Sequence, residues 1–376
     1  MVFTLALRNL IHDRMRFAVT LVGIVFSIVL VAVQLGLYLG SERIILSMLD
    51  HSDADLWVVA TGSQSFDDSS FLPGREKYAA LSLDGVASVK ELVVSFAQWT
   101  RPNDGGKTAI VMVGTSLNGA ALRPWNVVAG DVGELSLSDA VAVDRFYLDA
   151  LGVEKVGDTA QIEVRKARVV ALTDRIRSFT TLPYVFTSKN QARSFIGLPD
   201  DRATFVLIKL KPGADPAAVQ TALAAKLEHV EVITHDEFRT RSLDHWLFAT
   251  GAGAALIAGA ILGVIVGMVI VAQTLYSSAN DHINEFATLR AIGSSAAYIH
   301  KVIIWQAVLS AVIGFVIAIL IDLAIVSLSD GTALLVVMTP TLAASLFALT
   351  VVMCIVSALS AIVKVTRIDP AMVFNR

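Results

Sequence analysis

The chain has 376 residues, of which 55% are apolar and 17% are charged, and its mean hydropathy is +0.66. These values exclude an ordinary soluble enzyme and are typical of a membrane protein. The net charge of -3 and the lack of a dense lysine and arginine cluster argue against nucleic-acid binding, and a single cysteine, Cys354, excludes an intrachain disulfide and a cysteine-based metal cluster.

Four apolar runs are long enough to cross about 30 Å of hydrocarbon, since a spanning helix needs about 20 residues. They predict transmembrane helices at 17–40, 247–276, 302–328 and 341–363. The first run is longer than the apolar part of a signal peptide and is followed by no small-x-small cleavage site. We therefore expect it to be a retained signal anchor.

The segment before the first span, 1–16, is predicted to form an amphipathic helix in the inner headgroup layer. The alternative is a charged flank that only fixes the topology. Basic residues in this segment and in the tail at 364–376, with none between spans three and four, predict that both termini are cytoplasmic. The segment 41–246 is then extracytoplasmic, the loop at 277–301 is cytoplasmic, and the short loop at 329–340 is external.

The segment 41–246 is large enough to bury a core of its own, and its mixed texture predicts an α+β domain of one lobe or two. Predicted strands lie at 56–60, 89–100, 107–115, 140–143, 161–172, 184–187, 204–210 and 230–234. Predicted helices lie at 144–151 and 215–228, the second opened by Pro216 after a candidate N-cap at Asp215. The expected fold is thus an α-helical membrane protein with four transmembrane helices and a large α+β extracytoplasmic domain between helices one and two.

The tetrapeptide GGKT, within RPNDGGKTAIV, resembles the end of a phosphate-binding loop. The full pattern needs a glycine five positions before the GK glycine, where this chain has Arg101. Asp104, Gly105 and Gly106 lie between two predicted strands, where a hairpin turn requires a positive φ. The sequence therefore predicts a turn here, and any ATP that drives the protein is bound by another chain.

Residues for catalysis or metal binding are not predicted. The seven histidines show neither HxxxH nor HxH spacing. There is no GxSxG elbow, and the serine, aspartate and histidine residues outside the apolar runs are scattered along the chain.

Three glycines, Gly259, Gly263 and Gly267, recur every four residues in the second apolar run. Helical geometry places them on one face, where another helix can approach closely. The sequence predicts packing on this face either by a helix of the same chain or by a second copy.

Asp322 interrupts the third apolar run. A carboxylate in the middle of a bilayer is costly and usually functional, for example in a proton relay. Counting about 20 residues along the span places Asp322 close to the outer interface instead, where we expect it to reach water.

The stretch NDHINEFATLRAIGSS, at 280–295, is predicted to form a short helix between spans two and three. Asn280 or Asp281 can cap the helix, Glu285 lies near its positive end and Arg290 near its negative end. Gly293 can end the helix in the left-handed conformation.

An apolar strip on this predicted helix consists of Ile283, Phe286, Leu289 and Ile292. Ser294 or Ser295 can cap the third span after it. A helix continuous with two spans that exposes apolar side chains beside an acid and an arginine is suited to docking in a groove of a cytoplasmic partner. The alternative is a helix that lies on the membrane surface.

Several segments together resemble the MacB/FtsX-type permease family of ABC transporters, over essentially the whole chain. They are EFATLRAIGSS, the N-terminal ALRNLIHDRMRFAVTLVGI, the large domain between spans one and two, and the tail TRIDPAMVF. In the domain, ALGVEKVGDTAQIE resembles the family's LG-x-GD turn. HSDADLWVVATGSQSFD is similar to the DevC-like branch, whose members work with membrane-fusion partners. The tail ends in FNR, where the family more often has an LR-type ending.

The resemblance implies the membrane subunit of an ABC exporter in the bacterial cytoplasmic membrane, with no catalytic chemistry or cofactor of its own. It implies a homodimer of four-span subunits bound to a separate dimeric ABC ATPase, which binds ATP and Mg. In the implied mechanism, mechanotransmission, a coupling helix between spans two and three sits in the ATPase cleft, and nucleotide-driven closure moves the external domains. A membrane-fusion adaptor and an outer-membrane channel are further implied partners.

The motif carried over to this chain comprises Glu285, Ala287, Thr288, Leu289, Arg290 and Gly293, with Phe286 where the family often has Ile or Val. The resemblance implies that Glu285, Phe286, Leu289, Arg290 and Gly293 transmit force from the ATPase. An alternative function is that of an FtsX-like regulator, which uses ATP-driven movement to activate an extracytoplasmic cell-wall hydrolase without transport.

Overall fold

The computed structural model describes residues 2–68, 70–117, 122–283, 285, 287–288, 292–329, 331–332 and 334–366. The chain divides into two compact units. One, which we call the helical unit, combines Met1–Gly40 with Gly253–Arg376, and the other, the inserted domain, is Ser41–Ala252.

The helices, numbered in chain order, are α1 (Val2–His12), α2 (Arg14–Asp50), α3 (Glu76–Leu81), α4 (Leu148–Leu151), α5 (Lys189–Ile196), α6 (Pro216–Ala224), α7 (His235–Leu243), α8 (Ala252–Asp281), α9 (Ala296–Ser329) and α10 (Pro340–Thr366). The strands are β1 (Leu56–Ala60), β2 (Leu72–Pro73), β3 (Val86–Thr100), β4 (Lys107–Thr115), β5 (Val127–Gly130), β6 (Ala140–Asp144), β7 (Thr159–Ile162), β8 (Arg165–Thr173), β9 (Tyr184–Ser188), β10 (Arg202–Ala203), β11 (Phe205–Leu210) and β12 (Val230–Thr234).

Four of the described helices, α2, α8, α9 and α10, are long and apolar enough to cross a membrane by length and composition. Three of them extend beyond the apolar runs at both ends, because backbone hydrogen bonding does not stop where the side chains become polar. Helix α8 begins later than the second apolar run, since Asp244–Ala249 form a separate π-helical turn. Gly251, with a φ of +80°, ends this turn, and α8 begins at Ala252.

The helical unit has a continuous apolar core drawn from all four long helices. Its buried members include Ile28 of α2, Val271 of α8, Ile303 of α9 and Met353 of α10. Helices α8 and α10 are also joined by a hydrogen bond of 3.0 Å, which Ser357 Oγ on α10 donates to the Met268 carbonyl on α8. Burial of one apolar stripe on each helix therefore fixes which faces meet.

The inserted domain is α+β, as the sequence predicts. Its main sheet has the strand order β12-β1-β11-β3-β4-β9-β6-β8-β5, and β7 pairs with both β3 and β8. The strands β3, β4, β9, β6, β8 and β7 therefore close into a ring. The ring surrounds a buried core that includes Val93, Trp99, Val141, Val169 and Val185.

Of the remaining strands, β5 pairs with β8 of the ring, and β11, β1 and β12 form a second lobe around the first half of β3. There β11 pairs antiparallel with β3, and β1 lies between β11 and β12. Leu56, Val206, Ile208 and Leu223 form its core together with residues of α3 and α6. The fifteen-residue strand β3 thus belongs to both lobes, which we call the ring lobe and the sheet lobe.

Local signals account for several elements of the domain. Asp215 accepts a hydrogen bond of 3.1 Å from the Ala217 N–H, and Pro216 opens α6, so the predicted cap is confirmed although α6 ends at Ala224. The GGKT segment joins β3 to β4, and Gly105 has a φ of +70°, which confirms the predicted hairpin turn.

The prediction of a single strand at 161–172 is wrong. The structure has a hairpin there, in which Ile162 pairs with Arg165 across the two residues Glu163 and Val164. Glu163 has a φ of +52°, and its carboxylate accepts a hydrogen bond of 2.8 Å from the Gln98 N–H. The turn lacks the glycine or asparagine that normally marks such a φ, so the run looked continuous.

Candidate functional site

The segment between α8 and α9 carries the residues predicted to couple to a partner. Phe286, Leu289 and Arg290 lie outside the described residues. Glu285 is helical, its side chain is 64% exposed, and its Oε1 lies 3.1 Å from Nδ1 of His282. The carboxylate is therefore available at the surface of the chain.

The start of this segment differs from the prediction. Asn280 and Asp281 are the last residues of α8. The His282 N–H bonds to the Ser278 carbonyl at 3.2 Å, so the helical hydrogen-bond pattern continues past Asp281.

The end of the segment is closed as the sequence predicts. Gly293 has a φ of +97°, the left-handed conformation that favours glycine. The Ile292 N–H bonds to the Thr288 carbonyl at 3.1 Å just before it. Of the two serines that could cap the third span, Ser295 accepts a bond of 3.3 Å from the Tyr298 N–H.

The two sides of the segment have different environments. Ala287 is 2% exposed and belongs to the apolar core of the helical unit, beside Ala279 and Ile299. Ile292, by contrast, is 77% exposed. One side is therefore anchored on the helices, and Glu285 and Ile292 face away from that core.

The N-terminal helix contacts the same end of the helical unit. Ala6 is fully buried, and the ring of Phe3 meets Trp305 of α9 edge to face at 5.6 Å. At the start of α2, Arg16 forms ion pairs with Asp281, the last residue of α8, and with Asp13 at 3.1 Å. The sequence carried no signal for the pairing of Arg16 with Asp281, because it joins residues far apart in the chain.

The three glycines of α8 face α2 of the same chain. A Cβ at Gly259 would lie 2.7 Å from Nε2 of Gln34, and one at Gly263 would lie 2.9 Å from Cγ2 of Val31. A Cβ at Gly267 would collide with Ser27. The packing is further fixed by Ser27 Oγ, which donates a hydrogen bond of 2.7 Å to the Gly263 carbonyl.

Asp322 departs from the expectation that its carboxylate reaches water. It is 2% exposed, on the same side of α9 as the buried Ala318. Neither carboxylate oxygen has a hydrogen-bond partner among the described residues. Counting along the span locates the residue near a helix end, but it cannot tell which way the side chain points.

A buried ionic cluster lies in the inserted domain where β3 passes between the lobes. Glu91 of β3 is 6% exposed and contacts Lys189 at 2.5 Å, Lys77 at 3.5 Å and Arg193 at 3.6 Å. Burial alone would raise the pKa of Glu91, but the hydrogen bond from Lys189 and the charges of the three cations outweigh burial and lower the pKa. Since Lys77 is on α3 and the other two are on α5, the cluster ties elements of both lobes to their shared strand.

No group of three histidine, cysteine, aspartate or glutamate side chains in the described part of the chain could hold a metal ion. The features assembled above are instead contacts between helices and an exposed connecting segment.

Two family models match the sequence in consecutive regions. Residues 17–226 match the MacB-like periplasmic core domain, and residues 257–370 match the FtsX-like permease C-terminal region. The first region alone covers more than half of the chain.

Curated relatives match over nearly the whole length. Uncharacterized ABC transporter permeases of Mycobacterium bovis and of two strains of Mycobacterium tuberculosis are each 25% identical to this chain over 376 residues, which is 98% of this chain and 98% of theirs.

Two solved structures are similar to part of the chain. The periplasmic region of MacB from Actinobacillus actinomycetemcomitans aligns with a TM-score of 0.38 and 11% identity, over 52% of this chain and 96% of that one. The extracellular domain of the noncanonic ABC-type transporter YknZ from Gram-positive bacteria aligns with a TM-score of 0.36 and 12% identity, over 48% and 99%.

The family models follow the order of the fold, with the periplasmic core model on the first span and the inserted domain and the permease model on the remaining spans. The chain is a multi-pass membrane protein, and it belongs to the MacB/FtsX-type family of ABC transporter permeases.

Proposed function

We propose that this permease couples ATP hydrolysis by a separate ABC ATPase to movement of its inserted domain, as the membrane subunit of an exporter. The segment between α8 and α9 docks on the ATPase, and Glu285, Phe286, Leu289, Arg290 and Gly293 carry the force. The observation behind this proposal is the two-sided segment, with Ala287 buried in the helical core and Glu285 and Ile292 exposed.

A separate ATPase is needed because the sequence contains no phosphate-binding loop. The segment most similar to such a loop, GGKT, lies at the turn between β3 and β4. ATP and Mg are therefore bound by the partner, and the permease contributes the docking segment and the domain that moves.

The proposed arrangement has both termini and the docking segment on the cytoplasmic side of the bacterial inner membrane, because basic residues occur before the first span and after the last, and such residues favour the cytoplasmic side. The inserted domain is then extracytoplasmic. Two copies of the permease face a dimeric ATPase, and the inserted domain engages a membrane-fusion adaptor and, with it, an outer-membrane channel.

The docking segment is tested by Leu289→Asp and Arg290→Asp in the full-length chain. A carboxylate in an apolar contact is costly, so we expect loss of ATPase co-purification and of ATPase stimulation. Val164→Asp is the control, because Val164 is 86% exposed in the turn between β7 and β8. Unchanged co-purification and stimulation in both docking variants would refute the assignment.

The exporter is distinguished from an FtsX-like regulator by the partner of the inserted domain. We expect cross-linking in intact cells, followed by mass spectrometry, to recover an adaptor with the full-length chain. Recovery of a cell-wall hydrolase in its place would favour the regulator.

A further inference from the structure

Two glycines of α2, Gly36 and Gly40, lie one helical turn apart and form a notch for the loop between α9 and α10. A Cβ at Gly36 would lie 2.7 Å from Cγ1 of Val336 and 3.2 Å from the Val337 carbonyl oxygen. A Cβ at Gly40 would collide with the Leu335 carbonyl. The loop backbone therefore touches the helix backbone, which is possible only where both positions lack side chains.

Hydrogen bonds hold the loop on both sides. The Val337 N–H donates to the Gly36 carbonyl at 3.0 Å, and the Val336 N–H donates to Ser329 Oγ at the end of α9 at 3.2 Å. Val336 is 7% exposed, so its side chain fills the space beside Gly36. The loop is thus attached to α9 and α2 at the same time.

The loop is also tied to the start of α10. Thr339 Oγ1 accepts a bond of 3.1 Å from the Leu342 N–H, and Pro340 is the first residue of the helix. Proline fixes φ at this position, so the backbone between Val337 and α10 has little conformational freedom.

We propose that residues 335–337, which we call the latch, transmit movement of α9 and α10 to α2 through the Gly36 and Gly40 notch. The inference rests on the proposed function, since it names the point where movement reaches α2. That helix runs without a break to Asp50, inside the range of the inserted domain. Backbone contact suits this role, because it has no side-chain rotamers to absorb a displacement.

The test compares Gly40→Ala and Val336→Ala with wild type. Gly40→Ala places a Cβ where the Leu335 carbonyl lies, and Val336→Ala shortens the side chain beside Gly36 without causing a collision. Gly331→Ala is the matched control, because a Cβ there meets no described atom within 4 Å. Each full-length protein is placed in nanodiscs with the ABC ATPase that co-purifies with it, and amide hydrogen exchange of residues 41–252 is measured with and without ATP.

We expect ATP to change exchange in the inserted domain of wild type and of Gly331→Ala. In Gly40→Ala the ATP-dependent change should fall by about fivefold or more while ATPase binding stays at the wild-type level. In Val336→Ala the ATP-dependent change in exchange should also fall. This variant tests the proposal by itself if Gly40→Ala does not fold.

A wild-type response in both latch variants would overturn the latch and leave the proposed function intact. If ATP changes nothing in wild type although the ATPase is bound, the proposed function fails, and the latch fails with it.

Discussion

The hydroxyl of Tyr184 donates a hydrogen bond of 2.8 Å to Oδ1 of Asp67, and both residues are buried in the inserted domain. Burial raises the pKa of Asp67 from the ordinary 3.8 to about 6, although the hydrogen bond from Tyr184 acts in the opposite direction. A carboxyl group whose pKa is higher in the folded state favours folding while it is protonated. This contribution is complete below pH 3.8, falls as the pH rises, and is lost above about 6.

We therefore expect Asp67→Asn to stabilise the protein at pH 7, by up to about 3 kcal/mol, and to have much less effect at pH 4. Asparagine can still accept the bond from Tyr184 and carries no charge to desolvate. Thermal unfolding of the full-length chain from pH 4 to pH 8 measures the effect, with Asp84→Asn at an exposed carboxylate as control. Equal pH dependence in wild type and Asp67→Asn would contradict the expectation.

The glycines of α8 should differ in their tolerance of a methyl group. At Gly267 an added Cβ meets both Cβ and Oγ of Ser27, and moving Ser27 would break its hydrogen bond to the Gly263 carbonyl. At Gly259 it meets the amide end of Gln34, which can rotate away.

We expect Gly267→Ala to lower the free energy of unfolding by about 1–3 kcal/mol through overpacking. Gly259→Ala should be neutral or stabilising by up to about 1 kcal/mol, because alanine favours the helix. Melting temperatures in detergent give the comparison, and Ala258→Val on the exposed side of α8 controls for added volume. An equal loss of stability at both glycines would contradict this expectation. It would show that α2 and α8 separate as a whole.

Sequence reasoning located the spans, the α+β domain and the left-handed Gly293, since each depends on a local pattern of apolar residues or on one special backbone angle. It found the small-residue face of α8 but could not choose its partner, because spacing identifies a contact face and not what covers it. Gly36 and Gly40 have the same four-residue spacing, so the notch was detectable as a close approach. That a loop fills it follows only from the tertiary structure.

Asp322 illustrates a second limit, since its surroundings depend on helix rotation. Because both carboxylate oxygens lack partners among the described residues, we expect Asp322→Leu to raise stability by about 1–3 kcal/mol. Asp322→Asn is the comparison, because it keeps polar atoms in the same place and should gain less. Lower melting temperatures for the leucine variant would indicate a partner for the carboxylate outside the described residues, for example in a second copy.

The ion pair between Arg16 and Asp281 joins the start of α2 to the end of α8, next to the docking segment. The side chains are 28% and 51% exposed, so the pair should contribute at most about 1 kcal/mol to stability. Its effect on coupling should be larger, because the pair holds the end of α8 against the start of α2, directly before the docking segment. We expect Arg16→Gln and Asp281→Asn each to reduce ATPase stimulation, and the double variant to be no worse than either single variant, as in a double-mutant cycle of interacting residues.

Asp13→Asn, which removes the other partner of Arg16, should leave stimulation unchanged. If the two single effects add in the double variant, Arg16 and Asp281 act independently.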